Sequence, residues 1–112
     1  MDATIGAGYF RDEVKFVTLL GVPLKNFTSS PFSNLTDLER LTIHNSDLEV
    51  FPDVSSNTVL ERLDLSRNKI SFDFDTYETI KLPYSLTHVN LVENDISWIP
   101  RDLFSGTNIS FL

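Results

Sequence analysis

The sequence predicts an α/β-type repeat solenoid, a short curved stack of parallel strands with a mostly irregular or 3₁₀ outer side. Three observations carry that expectation. One spacing, apolar-x-x-apolar-x-apolar followed by an apolar residue five positions on, occurs four times and begins a fifth, with copies starting at Val14, Leu38, Leu60, Leu86 and Ile109. The intervals are 24, 22, 26 and 23 residues, inside the range of about 20–45 residues at which one structural unit stacks on the next. The apolar residues within each copy alternate as they must in a strand with one face buried, since successive side chains of a strand point to opposite sides. At 41% hydrophobic residues, a random window meets the four required positions only about 3% of the time.

Taken in chain order, residues 1–13 precede the first copy and are expected to be a non-repeat cover, with Ile5, Tyr9 and Phe10 over its apolar end. Gly6 and Gly8 oppose a long helix there. The repeats then occupy 14–37, 38–59, 60–85 and 86–108, with a partial copy at 109–112. Their strand segments are Val14-Lys-Phe-Val-Thr-Leu19, Leu38-Glu-Arg-Leu-Thr-Ile43, Leu60-Glu-Arg-Leu-Asp-Leu65 and Leu86-Thr-His-Val-Asn-Leu91, closed by Leu24, Leu48, Ile70 and Ile96. Between the strands, Pro52 and Pro100 fix φ and remove a backbone donor, which favours extended outer segments over long helices. The third copy is longer. Its alternation of aromatic and acidic residues from Phe72 to Glu78 predicts a bulging loop or short helical turn, with Phe72, Phe74 and Tyr77 partly inward.

The run Leu60-Glu-Arg-Leu-Asp-Leu-Ser-Arg-Asn68-Lys-Ile70 resembles the leucine-rich repeat consensus L-x-x-L-x-L-x-x-N-x-L at each defined position, and the resemblance covers 14–112. The ninth position asks for a side chain that can both donate to and accept from turn backbone groups, which an amide can. Asn68 and Asn94 supply it, whereas Val22 and Ser46 depart from it, so the first repeat is expected to be a modified terminal one. Ile99-Pro100 followed by Leu103-Phe104, with the matching Phe32-x-x-Leu35-x-x-Leu38, resembles the typical 24-residue subclass. That resemblance implies receptor ectodomains or secreted proteins, although the chain has none of the cysteines usual in the caps of such families.

Composition narrows the function classes. Nine Lys+Arg against sixteen Asp+Glu give a net charge of −7, which repels a phosphate backbone or anionic lipid, so nucleic acid is not expected as a partner. The apolar runs are far short of the ~20 residues that span a bilayer, and the first eight residues do not form a secretory leader. Without cysteine there is no disulfide, thiol nucleophile or thiolate metal site. His44 and His88 fall at different repeat positions and are not expected to meet. No nucleophile elbow or phosphate loop is present. No enzyme activity, cofactor or metal is therefore expected. Asp73, Asp75 and Glu78 are read as solvated acids of the loop, because the glycine and the full ligand series of a calcium loop are missing.

Asn26-Phe-Thr28, Asn34-Leu-Thr36 and Asn108-Ile-Ser110 are N-glycosylation sequons, three where composition produces about 1.6 by chance. They tilt the expectation toward an extracellular or cell-surface protein, with a cytoplasmic location as the alternative. Trp98 is expected to pack beside Pro100 and the preceding repeat. The candidate binding residues follow from repeat position: the third, fifth, seventh and eighth places leave the core toward the concave side. They are Phe16, Arg40, Arg62 and His88; Thr18, Thr42, Asp64 and Asn90; Leu20, His44, Ser66 and Val92; and Gly21, Asn45, Arg67 and Glu93, a basic ridge with polar and apolar neighbours. Stacked solenoid sheets commonly present such a face to partners, so the expected function is non-catalytic recognition of a protein ligand. An intracellular scaffold and a structural spacer are the alternatives. Four strands at about 4.8 Å offer roughly 400 Å², half of a standard interface side. Ile109, Phe111 and Leu112 open a repeat without a polar cap, so either a fragment of a longer array or self-association through that end is expected.

Overall fold

The structure is a computed structural model that describes residues 10–24, 31–75 and 80–109. Four strands form one sheet: β1 Phe16–Leu20, β2 Arg40–His44, β3 Arg62–Asp64 and β4 His88–Asn90. Their spatial order is their chain order, and every neighbouring pair is parallel. Among the described residues there is no helix and no 3₁₀ turn; the connections are turns and irregular backbone. The sheet is in register at the repeat intervals. Phe16 lies beside Arg40, Arg40 beside Arg62, and Arg62 beside His88, so each strand is displaced from the next by one whole copy.

The register follows from burial. A slip of one residue would turn each strand's apolar set outward, and in β2 the alternation is strict: Leu41 and Ile43 are fully buried while Arg40 is exposed. Aligned copies line up Val17, Leu41, Leu63 and Val89 in one buried column. Leu38, Leu60 and Leu86 form a second, and Leu24, Leu48 and Ile70 close the core opposite the sheet. Val14, Leu19, Leu91 and Ile96, in the first and last copies, are only partly buried against this core. Phe32, Leu35, Phe51, Val54 and Phe72 extend it into the outer connections.

A ladder of side-chain amides joins one copy to the one before. Asn68 is buried; its amide N–H groups donate to the carbonyls of Ile43 at 2.7 Å and Leu65 at 2.9 Å. Its Oδ1 accepts from the backbone N–H groups of Ser46 and Leu48. Asn94 repeats the arrangement one copy on, donating to Leu65 and Leu91 and accepting from Ile70. Ser46 stands where the amide is missing. Its Oγ accepts from Val22 N–H at 3.2 Å and donates to the carbonyl of His44, and its own carbonyl accepts from Leu24 N–H. The first turn is therefore regular despite Val22 and Ser46.

The outer side holds one chain of rings. Phe51 stacks on Phe72, Phe72 meets the edge of Trp98, and Trp98 stacks on Phe74 with centroids 4.3 Å apart. Trp98 accordingly packs on the preceding copy. Phe74 corrects the expectation of an inward residue, for it is 76% exposed and covers the outer face of Trp98. Tyr77 and Glu78 lie outside the described residues, as do Ile5 and Tyr9. Phe10, four residues before the first copy, stacks on the buried Phe32 with ring centroids 5.7 Å apart.

Candidate functional site

The face of the sheet turned away from the core is built by residues at strand positions that cannot point inward. Phe16, Arg40, Arg62 and His88 make its first row, and Thr18, Thr42, Asp64 and Asn90 its second. Leu20 and His44 continue it. Phe16, Thr18, Arg40 and Arg62 are exposed; Thr42, His44, Asp64, His88 and Asn90 are half-buried by their neighbours. The expected residues that lie within the strands are thus brought to one surface, in rows set by register.

The electrostatics of the face are uneven. His44 Nε2 lies 2.9 Å from Asp64 Oδ1, close enough for an ion pair when the ring is protonated but off the line of a hydrogen bond. Asp64 Oδ1 also accepts from Ser66 N–H, which holds the carboxylate at the start of its turn. Arg67 and Glu93 pair at 3.2 Å, both well exposed. His88 Nδ1 is 2.9 Å from Thr87 Oγ1. The two histidines sit in different rows on β2 and β4. Among the described residues no group of three acids or histidines could hold a metal ion. Arg40 lies over the Phe16 ring at 5.6 Å, a contact in which the guanidinium charge meets the negative face of the ring.

The eighth repeat position carries a feature that residue type does not announce. Gly21, Asn45, Arg67 and Glu93 all have left-handed φ, between 50° and 67°. The turn leaving each strand requires that conformation wherever a copy ends its strand. Only Gly21 meets it without a side chain to strain. The side chains of Arg67 and Glu93 are thereby directed beside the sheet face, where with Asn45, Asp64, Ser66 and Asn90 they line a shallow groove.

Leu20 and Val92, of the seventh repeat position, are 63% and 61% exposed. Their exposure follows from the same column logic that placed His44. Asn57 lies outside the positions that the repeat spacing marks. It is fully buried and donates to the carbonyls of Phe32 and Leu35 in the preceding copy, bracing the outer connection. Its signal in the sequence is slight, a single Asn between serine and threonine.

The sequons divide. Asn26 lies outside the described residues, and Asn108 is exposed. Asn34 is half-buried, and the nitrogen that would carry a glycan donates to Phe10 carbonyl at 3.1 Å and Asp12 Oδ1 at 2.6 Å. An N-linked sugar replaces one of the two amide hydrogens, so it would break one of those bonds. No helix of the described residues is long and apolar enough to cross a membrane. No protein-family model, curated protein or solved structure matches the chain.

Proposed function

We propose that the chain is a leucine-rich-repeat solenoid that recognises a protein partner, without catalysis, through the open face of its sheet. The observation that carries this reading is the row Phe16, Arg40, Arg62 and His88: repeat copies aligned one beside the next present chemically distinct side chains at one surface. Phe16 and Leu20 on the same face are more than half exposed and give a partner apolar surface to bury. The amide ladder supports the solenoid half of the reading, since each rung satisfies the turn of the copy before it.

The test compares three immobilised proteins: the wild type, an open-face variant (Arg40→Glu, Arg62→Glu, Arg67→Glu), and an outer-side variant (Glu49→Lys, Asp53→Lys, Lys81→Glu). A partner held by the wild type and the outer-side variant but lost by the open-face variant is the expected result. Equal retention by all three would sink recognition by this face and leave a spacer.

We place the protein at the cell surface or outside the cell on its sequons and on its resemblance to typical-class repeats. An intracellular scaffold using the same face is the second reading, favoured by the engagement of the Asn34 amide. Mass before and after enzymatic removal of N-glycans, on protein passed through a eukaryotic secretory pathway, decides between them. A mass drop supports the first, and efficient secretion without glycan the second.

A further inference from the structure

Arg40 and Arg62 are directly opposed on neighbouring parallel strands, both exposed. Their Cα atoms are therefore about 4.8 Å apart across the sheet. Like charges facing each other across a sheet are destabilising, and neither guanidinium has a carboxylate within ion-pair distance among the described residues. Of the other charges of the face, Glu93 pairs with Arg67, and Asp64 lies 2.9 Å from His44, an ion pair only when that ring is protonated. Glu39 and Glu61, one residue earlier in each copy, line a separate depression with Lys15 and Asp37. The face therefore holds two arginines without an ion-pair partner on a chain of net charge −7, flanked on the β1 side by the exposed Phe16 ring and Leu20 methyls. Arg40 lies over Phe16, and with no carboxylate on either guanidinium both forks can take planar, bidentate acceptors.

We propose that the occupant of this face is an extended acidic segment of a partner protein, running across the strands with two carboxylates at alternate positions, one on Arg40 and one on Arg62, and an apolar side chain beyond them against Phe16. Side chains two apart on an extended chain are about 6.6 Å from each other, a span that two long arginine side chains rooted about 4.8 Å apart can match. A polyanion such as a sulfated glycan or nucleic acid is the poorer fit. It places charge every few ångströms, and beyond the two arginines it would meet Asp64, Glu93 and the acidic remainder of the chain. The inference rests on recognition through this face and adds the chemistry of what is recognised.

The test is selection of a random twelve-residue peptide display library on the whole chain, run in parallel on wild type and on the doubly reversed protein (Arg40→Glu, Arg62→Glu). An Arg40→Gln, Arg62→Gln protein, which adds no charge, serves as the second variant, and retention of the wild-type thermal transition shows that each is folded. The expected result is enrichment of Glu or Asp at alternate positions on the wild type, replaced by Lys and Arg on the reversed protein. The enriched acidic peptide should bind the Gln variant about tenfold more weakly, and the wild type more weakly as salt rises. No enrichment, or the same acidic enrichment on the reversed protein, overturns the proposal. So does tighter binding of heparin or an oligonucleotide than of any selected peptide. Enriched peptides that are not acidic, but whose binding is lost on Leu20→Asp or Val92→Asp, overturn the acidic segment while keeping the face. Peptides indifferent to every open-face substitution overturn both.

Discussion

Replacing Asn68 with alanine should remove much of the stability of the chain, because one side chain satisfies backbone groups of two copies. The substitution deletes donors to the carbonyls of Ile43 at 2.7 Å and Leu65 at 2.9 Å, and the acceptor for the N–H groups of Ser46 at 3.0 Å and Leu48 at 3.3 Å. Four bonds at a net value of about 1 kcal/mol each give about 4 kcal/mol. Unpaired buried groups push the loss upward by about 1–3 kcal/mol each where water cannot follow, and water entering the vacated amide site offsets part of that. The expected loss is therefore about 3–5 kcal/mol, against a total of about 5–15 kcal/mol for a domain of ordinary stability. In urea, with a slope near 1.5 kcal/mol/M, the midpoint should fall by about 2–3 M. Asn94→Ala supplies the internal comparison. Asn94 is only half-buried, water reaches its partners more readily, and its loss should be roughly half as large. A drop of less than about 0.5 M for Asn68→Ala at unchanged slope would show that the ladder does not hold the copies together.

Three further substitutions probe other parts of the same account. Phe32 is fully buried and stacked on Phe10, so Phe32→Ala should lower unfolding stability by about 3–5 kcal/mol, and a loss under 1.5 would mean that the first copy's outer connection is not packed as described. Gly21 has φ +67° with no atom within 4 Å of an added Cβ, so Gly21→Ala meets only backbone strain, about 1 kcal/mol. Gly21→Asn should do better, since Asn45 already holds that conformation one copy on, and equal losses for the two would refute the left-handed requirement. Phe74→Ala removes the ring stacked on Trp98, the only tryptophan. It should lower stability by about 0.5–1.5 kcal/mol and shift the tryptophan emission to the red as the ring gains water, and an unchanged emission maximum would place Trp98 elsewhere.

Periodicity carries the backbone plan because it is a local statement repeated. The alternation in Leu41-Thr-Ile43 says which side chains cannot face water, and its recurrence in Leu63-Asp-Leu65 one copy on says what lies beside it; the observed register joins Leu41 to Leu63. The exposed rows follow at once, because the intervening positions have nowhere else to go. Side-chain partners are not encoded this way, since they depend on neighbours a whole copy away in the chain and on the space those neighbours leave. Ser46 replaces an amide because its hydroxyl meets Val22 N–H. Phe74 points outward because Phe72 already fills the buried place and Trp98 offers a ring to cover. Arg67 and Glu93 pair because the left-handed turns that end β3 and β4 put both beside the face. The Asn34 amide, a sequon by its spelling, is claimed by Asp12 and the carbonyl of Phe10. Repeat spacing thus dictated the strands, their order and which rows face out, through the hydrophobic requirement alone. Which polar groups on those rows pair, and which charges stay without an ion-pair partner at Arg40 and Arg62, was set by hydrogen-bond and ion-pair geometry that exists only once the copies are stacked.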